Sequence, residues 1–203
     1  MKGRWNREVF GNDHALVLEL GCGKGEYTVG MARLYPDKNF MGLDIKGARL
    51  WAGAKAAHEE DLLNVAFLRT RIDFVYSFFA RDEVDEIWLT FPDPQEKKKR
   101  RKKRLPGAQF LNVYRKFLKD EGRIHLKTDN LQLYLDTLEL LRYNKMKVEC
   151  ESTDLYSEGW KDERVSIQTY YEKGFLAEGK KINYLCFRLP AGKEIRESPH
   201  EST

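Results

Sequence analysis

Short apolar runs and amphipathic stretches alternate along most of the chain. The first run, Ala15–Leu20, is apolar apart from Glu19, a pattern typical of a strand that is buried on both faces. Four further apolar runs precede residue 130, and helical patterns of apolar residues lie between them. The predicted strands are 15–20, 40–44, 64–68, 86–91 and 122–128. This alternation predicts right-handed crossovers and a parallel sheet that helices cover on both faces.

The C-terminal part of the chain breaks this alternation. Two further strand-like runs, 147–151 and 182–189, are separated by a polar, aromatic-rich segment that shows no clear helical pattern. A loop of this length favours a functional role. Two late strands predict an antiparallel hairpin at the edge of a mostly parallel, seven-stranded α/β sheet. We expect one domain over residues 1–190 and a disordered tail over 191–203.

A glycine-rich loop follows the first strand directly. Gly21, Gly23 and Gly25 allow a tight turn and let a ligand approach the backbone closely. The GxGxxG pattern of dinucleotide-binding loops is incomplete, because position 26 is Glu26. Asp44 ends the second strand, where a carboxylate can bind both ribose hydroxyls of a nucleoside. These residues favour a loop that binds a nucleoside-like ligand over a simple strand–helix turn. They do not distinguish that ligand from a nicotinamide cofactor.

A carboxylate lies between two prolines where the fourth strand ends. Pro92 and Pro94 cannot donate to a strand ladder, so they stop the strand and restrict the backbone around Asp93. Residues 97–104 are all lysine or arginine, although the net charge of the whole chain is only +4, so the other residues together are net acidic. A fixed carboxylate beside a tract that attracts polyanions indicates chemistry on a nucleic acid. The simpler alternatives are a turn aspartate and a solvated charge run.

Composition and spacing disfavour several other classes of protein. The chain has no apolar run long enough to span a membrane, and its first residues do not resemble a signal peptide, so we expect a cytoplasmic protein. Its three cysteines are too few and too scattered for a disulfide framework or a zinc site. The four histidines show no metal-ligand spacing. We therefore expect no metal.

Taken together, the motifs resemble a known enzyme family. Residues 19–25 look like motif I of class I S-adenosylmethionine (SAM) methyltransferases. With the FPDP sequence at 91–94, the basic tract, KTDN at 127–130 and TYYE at 169–172, the chain resembles the bacterial TrmB-type tRNA (guanine-N7-)-methyltransferases. The resemblance covers residues 15–187. It implies a Rossmann-like, doubly wound fold and methyl transfer from SAM to guanine N7 at position 46 in the variable loop of tRNA.

The resemblance also implies roles for individual residues, with SAM as cofactor and tRNA as partner. Asp93 is the implied catalytic residue and a contact to SAM. The other implied SAM-binding residues are Glu19, Gly21, Gly23, Gly25, Asp44 and Asp73. The implied tRNA-binding residues are Lys97, Asp129, Thr169, Tyr170, Tyr171 and Glu172. No metal is implied, and we expect a monomer or a homodimer.

Two positions depart from the family pattern. Gln95 stands where many relatives have tryptophan, and Arg71-Ile72-Asp73-Phe74 stands where many have Asn-x-Asp-Ala.

Two other functions are open. A non-catalytic RNA-binding protein on this fold is disfavoured by the presence of Glu19, Asp44 and Asp93. A nicotinamide-dependent oxidoreductase is disfavoured by Glu26 and by the basic tract.

Overall fold

Seven strands form one mixed sheet, whose order is set by crossover connections. The structure is a computed structural model that describes residues 1–160 and 162–198, apart from the side chain of Lys98. The strands are β1 (Ala15–Leu20), β2 (Lys38–Asp44), β3 (Val65–Arg69), β4 (Val84–Thr90), β5 (Leu118–Thr128), β6 (Val148–Ser152) and β7 (Asn183–Leu189). Their order across the sheet is β3-β2-β1-β4-β5-β7-β6. The first five strands pair in parallel, and β7 runs antiparallel between β5 and β6. The predicted α/β fold with an antiparallel C-terminal strand pair is confirmed.

Helices connect the strands on both faces of the sheet. They are α1 (Glu26–Leu34), α2 (Gly47–Glu59), α3 (Ala108–Tyr114), α4 (Leu131–Tyr143), α5 (Glu163–Ser166) and α6 (Tyr170–Ala177). Short 3₁₀ helices cover Ile72–Ser77 and Lys98–Lys103, and a single π turn covers Asn6–Phe10. Helix α3 has only seven residues, and β5 begins four residues after its end, at Leu118. Within the described ranges, every helix is too short or too polar to cross a bilayer.

The segment between β6 and β7 contains two helices that the sequence pattern did not predict. Helix α5 is only four residues long, and α6 has eight. Both begin with a side-chain cap: Asp162 accepts from the backbone N–H of Arg164, and Thr169 accepts from that of Glu172. The prediction of a segment without helices was therefore wrong.

Two apolar layers flank β1, and they show on which face of the sheet Glu19 lies. Leu16, Leu18 and Leu20 belong to the layer that includes α3 and α4, whereas Val17 belongs to the layer that includes α1. Because side chains alternate along a strand, Glu19 lies on the same side as Val17, beneath α1. The carboxyl ends of β1 and β4 meet where the strand order reverses, which is the position at which open α/β sheets bind ligands.

Residues 191–198 differ from the disordered tail that the sequence predicts. Ile195 is buried, and its carbonyl accepts from Asn112 Nδ2 at 2.7 Å. The backbone N–H of Arg196 donates to Asn144 Oδ1 at 2.9 Å, and Ser198 bonds to Glu139. This stretch therefore lies against α3 and α4. The remainder of the expected tail, 199–203, lies outside the described residues.

Candidate active site

The glycine loop adopts a backbone conformation that side chains rarely allow. Gly21, Gly23 and Gly25 all have positive φ, at 80°, 57° and 73°. A Cβ atom on Gly25 would lie 2.5 Å from Phe67 Cε1, so the close approach of the loop to β3 requires glycine there. The backbone N–H groups of Gly21 and Cys22 donate to the Leu43 carbonyl at 2.8 and 3.0 Å. These bonds fix the loop against the end of β2, beside Asp44.

Asp44 is held by backbone donors on either side of it. Its Oδ2 accepts from the N–H of Gly23 at 3.0 Å, and its Oδ1 accepts from the N–H of Lys46 at 2.8 Å. Each carboxylate oxygen can still accept a further bond. Asp44 and Gly21 line a cavity of about 260 Å³ together with Asp73. Asp44 and Asp73, which are far apart in sequence, thus line one space, in which Arg71 Nη2 lies 3.1 Å from Asp73 Oδ2.

Glu19 lies behind the loop rather than in it. One carboxylate oxygen accepts from the N–H and the hydroxyl of Thr28, and the other accepts from Thr90 Oγ1 at 2.5 Å. The side chain is buried, and this burial raises the pKa of Glu19 to about 7, although the hydrogen bonds oppose the shift. Its charge therefore changes near neutral pH and would respond to a cationic ligand.

The turn after β4 carries backbone strain. Phe91 has a φ of 50° and Gln95 a φ of 47°, and such values are unfavourable for side chains of this size. Phe91 is held by its N–H bond to the Lys127 carbonyl at 2.8 Å and by packing of its ring against Phe175. Asp93 is exposed, and its Oδ1 accepts from the N–H of Gln95 at 2.9 Å. The strained turn thus presents this carboxylate at the surface.

One large cleft brings together five of the thirteen predicted site residues. It has a volume of about 870 Å³ and is lined from the ends of β2, β4 and β5 and from α6. Asp44, Asp93, Asp129 and Tyr171 all line it, as does Gly21. Asn130 follows Asp129 and caps helix α4, because its Oδ1 accepts from the N–H of Leu133 at 2.8 Å.

The predicted tRNA-binding segment 169–172 divides into two kinds of residue. Tyr170 and Tyr171 are 64% and 51% exposed, and both line a smaller cavity with Gly21 and Gly23. Thr169 and Glu172 instead form a capping box, in which each side chain bonds the backbone N–H of the other residue. Thr169 also lines the smaller cavity.

Glu172 differs most from its expected role. Its side chain is fully buried. Lys127 Nζ lies 2.8 Å from Oε1 of its carboxylate, and the Tyr156 hydroxyl donates to the same oxygen at 2.7 Å. Lys127 is equally buried and also donates to the carbonyls of Val165 and Ile167, while burial lowers its pKa. The assignment of Glu172 to RNA contact does not fit this arrangement, since the carboxylate is enclosed by protein.

The basic tract forms a short 3₁₀ helix over Lys98–Lys103, and the tract lies between Glu96 and Leu105, which both line the cleft. Lys97 is exposed and precedes this helix, and Lys103 lines the cavity that contains Asp44 and Asp73. Arg104 is an exception to the expectation of a solvated charge run. It is buried, and its guanidinium lies 2.6 Å from Asp136.

Sequence reasoning missed several residues that line the site. Arg49 contributes to both the smaller cavity and the large cleft, and Lys180 lies at the cleft 3.6 Å from Asp129. For Arg49, the sequence could have indicated a role only through its position, in the first turn of the helix that follows Asp44. Lys180 is brought to the site by the unpredicted helix α6. Among residues 1–160 and 162–198 there is no group of three or more His, Cys, Asp or Glu side chains that could hold a metal ion.

The chain is similar to known proteins over most of its length. A family model described as "Putative methyltransferase" matches residues 13–185. A Bacteroides thetaiotaomicron protein named tRNA (guanine-N(7)-)-methyltransferase is 51% identical over 97% of this chain and 77% of its own length. A Porphyromonas gingivalis protein of the same name is 53% identical, over 93% of this chain and 77% of its own.

Solved structures support the fold. An antibiotic-related methyltransferase superposes with a TM-score of 0.65 at 15% identity, covering 93% of this chain and 94% of its own. A 16S rRNA methyltransferase from Catenulisporales acidiphilia, described with the cosubstrate SAM, has a TM-score of 0.62 at 13% identity and covers 93% of this chain and 90% of its own.

Proposed function

The chain belongs to the tRNA (guanine-N(7)-)-methyltransferase family, and we propose that it transfers a methyl group from SAM to N7 of the guanine at position 46 in the variable loop of tRNA. The observation that carries the proposal is the cleft of about 870 Å³, which Gly21 of the glycine loop, Asp44, Asp93 and Asp129 all line. The cleft has room for a nucleoside beside a second base. The proposal places the enzyme in the cytoplasm, where its tRNA substrate is found.

The residues at the cleft fit SAM. Space is open above Gly23, where an added Cβ would meet no heavy atom within 4 Å, so a ligand can approach this backbone. Asp44 can bind the ribose hydroxyls, because backbone N–H groups orient both of its oxygens and leave acceptor positions free. Asp73 and Ile45 line the adjoining cavity and can border the adenine. Glu19, behind the loop, supplies negative charge close to the cationic end of the ligand.

The chemistry requires little proton transfer. SAM supplies a methyl group on a positively charged sulfur. Guanine N7 has an in-plane lone pair and no proton, so no general base is needed to create the nucleophile. The task of the protein is therefore alignment of the reacting groups, which can supply several kcal/mol of the barrier.

Asp93 is the residue we assign to the substrate base. Its carboxylate can accept hydrogen bonds from the guanine N1–H and amino group, and it offsets the positive charge that develops on the purine. The turn that presents Asp93 is fixed before substrate arrives, by its bond from Gln95 and by the hydrogen bond and ring packing that hold Phe91. A group fixed in this way needs little reorganisation in the transition state.

Separate surfaces are suited to the rest of the tRNA. The exposed cations Lys97, Lys99, Arg100, Lys102 and Lys103 can bind phosphates without regard to sequence. Tyr170 and Tyr171 meet edge to face with their centroids 5.8 Å apart at the smaller cavity, where an unstacked base can stack. Asp129 lies on the large cleft and can contribute to base recognition.

Methyl transfer from labelled SAM to unmodified tRNA tests the proposed function. We expect label on N7 of one guanine, at position 46, and none when that guanine is replaced by adenine. Label on N7 of another guanine would support N7 methylation but would contradict the assignment to position 46. A protein that binds tRNA without methylating it, or that binds NADH but not SAM, would overturn the proposed activity.

A further inference from the structure

We propose that Arg104, the last cation of the basic tract, is a positioning residue for Asp93 rather than a contact to RNA phosphate. The inference rests on the proposed function, because it assigns the residue through the effect of Asp93 on methyl transfer.

Arg104 differs from the cations that precede it. Lys99, Arg100, Lys102 and Lys103 are exposed, whereas the side chain of Arg104 is only 5% exposed. Its guanidinium donates from Nη1 to Asp136 Oδ2 at 2.6 Å, and Asp136 is itself largely buried. A buried guanidinium that is paired in this way is not presented to a polyanion.

A second bond links Arg104 to the turn that carries Asp93. The Nε–H group donates to the carbonyl of Pro94 at 2.8 Å. The guanidinium is planar, so its Nε–H and Nη1–H groups point in fixed directions relative to one another. Asp136 lies on α4, and its other oxygen accepts from Gln132 Nε2 at 2.6 Å. The carbonyl of Pro94 is therefore held at a fixed position relative to α4.

The peptide unit that Arg104 holds is the same one that holds the carboxylate of Asp93. The Pro94 carbonyl and the Gln95 N–H belong to one planar trans peptide, in which these two groups point in opposite directions. Arg104 Nε–H donates to the carbonyl oxygen of this peptide. The N–H of the same peptide, which belongs to Gln95, donates to Asp93 Oδ1 at 2.9 Å. Arg104 thus fixes the plane from which Asp93 receives its orienting hydrogen bond. Gln95 has a φ of 47°, so this orientation is not one that the turn favours by itself.

Loss of this support should affect chemistry more than binding. Without the Nε bond the peptide can rotate, and Asp93 then loses its fixed direction. Misplacement of a reacting group by about 1 Å can lower a rate about 10²-fold. We therefore expect Arg104→Met to lower kcat for methyl transfer by about 10- to 100-fold at saturating tRNA. SAM affinity and the salt dependence of tRNA binding should stay within about twofold of wild type, because Arg104 contacts neither ligand.

Two other arginines serve as matched comparisons. Arg100 belongs to the same tract but is exposed, so Arg100→Met should raise the KM for tRNA and leave kcat near the wild-type value. Arg81 is 83% exposed in the turn before β4, and Arg81→Met should change neither constant. Arg104→Lys keeps the charge and the apolar stem but not the paired donors, so it should lower kcat in the same way as Arg104→Met. This variant also serves if Arg104→Met does not fold.

A double-mutant cycle with Asp93→Ala decides between positioning and a purely structural role. If Arg104 acts through Asp93, adding Arg104→Met to Asp93→Ala should lower kcat by less than about threefold further. Wild-type methylation of tRNA is measured first, so that failure of the proposed function is seen separately. The proposal would be overturned if the two substitutions lowered kcat independently, so that the double variant lost the product of the two single fold-changes. It would also be overturned if Arg104→Met had a normal kcat and a raised KM for tRNA.

Discussion

Lys127 Nζ lies 2.8 Å from Glu172 Oε1, and both side chains are completely buried. This ion pair joins the end of β5 to the start of α6. Since Tyr170 and Tyr171 begin that helix, the pair fixes two exposed rings beside the glycine loop. Glu172 therefore contributes to the site by holding the helix that lines it.

Glu172→Gln should destabilise the protein strongly. Removing one partner leaves the buried Lys127 charge uncompensated, which typically costs about 3–5 kcal/mol. Denaturant unfolding measures this directly. The control is Glu178→Gln, whose glutamate is 63% exposed and pairs with Lys180 at 3.1 Å, and which should cost less than about 1 kcal/mol. Unchanged stability together with weaker tRNA binding would show instead that Glu172 contacts RNA.

Asp44→Ala should weaken SAM binding more than tRNA binding. The lost carboxylate is assigned to both ribose hydroxyls, and a charge-assisted contact of this kind is worth roughly 1.5–3 kcal/mol. Calorimetric titration of each variant with SAM, and filter binding with tRNA, give the two affinities. Asp37, exposed in the turn before β2, provides the control, and Asp37→Ala should leave both affinities unchanged. Equal weakening of the two ligands by Asp44→Ala would contradict the assignment.

SAM affinity should increase with pH through neutrality. Burial raises the pKa of Glu19 to about 7 in the free protein, so below that pH the carboxyl is mostly protonated. A cationic ligand favours the ionised form, and at low pH binding must first remove that proton. For one group of this pKa, affinity should rise about tenfold between pH 6 and pH 8. The rise should be absent in Glu19→Gln; an identical pH dependence in both proteins would exclude Glu19 as its source.

Neutralising the exposed part of the basic tract should reduce tRNA binding selectively. Lys99, Arg100, Lys102 and Lys103 are exposed, and replacing all four with glutamine should raise the KM for tRNA while leaving SAM affinity unchanged. The slope of log K against log salt should flatten by up to about 0.7 for each charge removed. Arg104 is kept in this variant because it bonds to Pro94 and Asp136. A salt slope equal to that of wild type would mean that the tract does not bind phosphate.

The central fold could be predicted because its signals are local. The run Ala15–Leu20 and its counterparts are apolar on both faces, as parallel strands must be when helices cover the sheet. The glycines of the loop were equally informative, since Gly21, Gly23 and Gly25 all occupy positive φ. Asp44 and Asp93 could be placed at strand ends because Asp44 closes one apolar run and Asp93 follows another within two residues.

The missed features depend on short elements or on distant partners. Helix α6 spans eight residues and includes Gly174, so its apolar periodicity is too brief to recognise. The Thr169-x-x-Glu172 spacing is a capping-box signature that could have marked its first residue. For Arg104 no local pattern distinguishes one cation among eight. Its role depends on Asp136, which is 32 residues away in sequence.

The single-turnover rate of Asp93→Asn tests the central claim most directly. This change keeps the shape and one acceptor oxygen of the side chain but removes the charge that is assigned to the developing cationic purine. With tRNA and SAM both saturating, we expect the rate to fall by roughly 10²–10³-fold, while SAM affinity changes much less. A rate close to that of wild type would contradict the account, because Asp93 would then only shape the turn and charge stabilisation would have to come from another group on the cleft, such as Asp129.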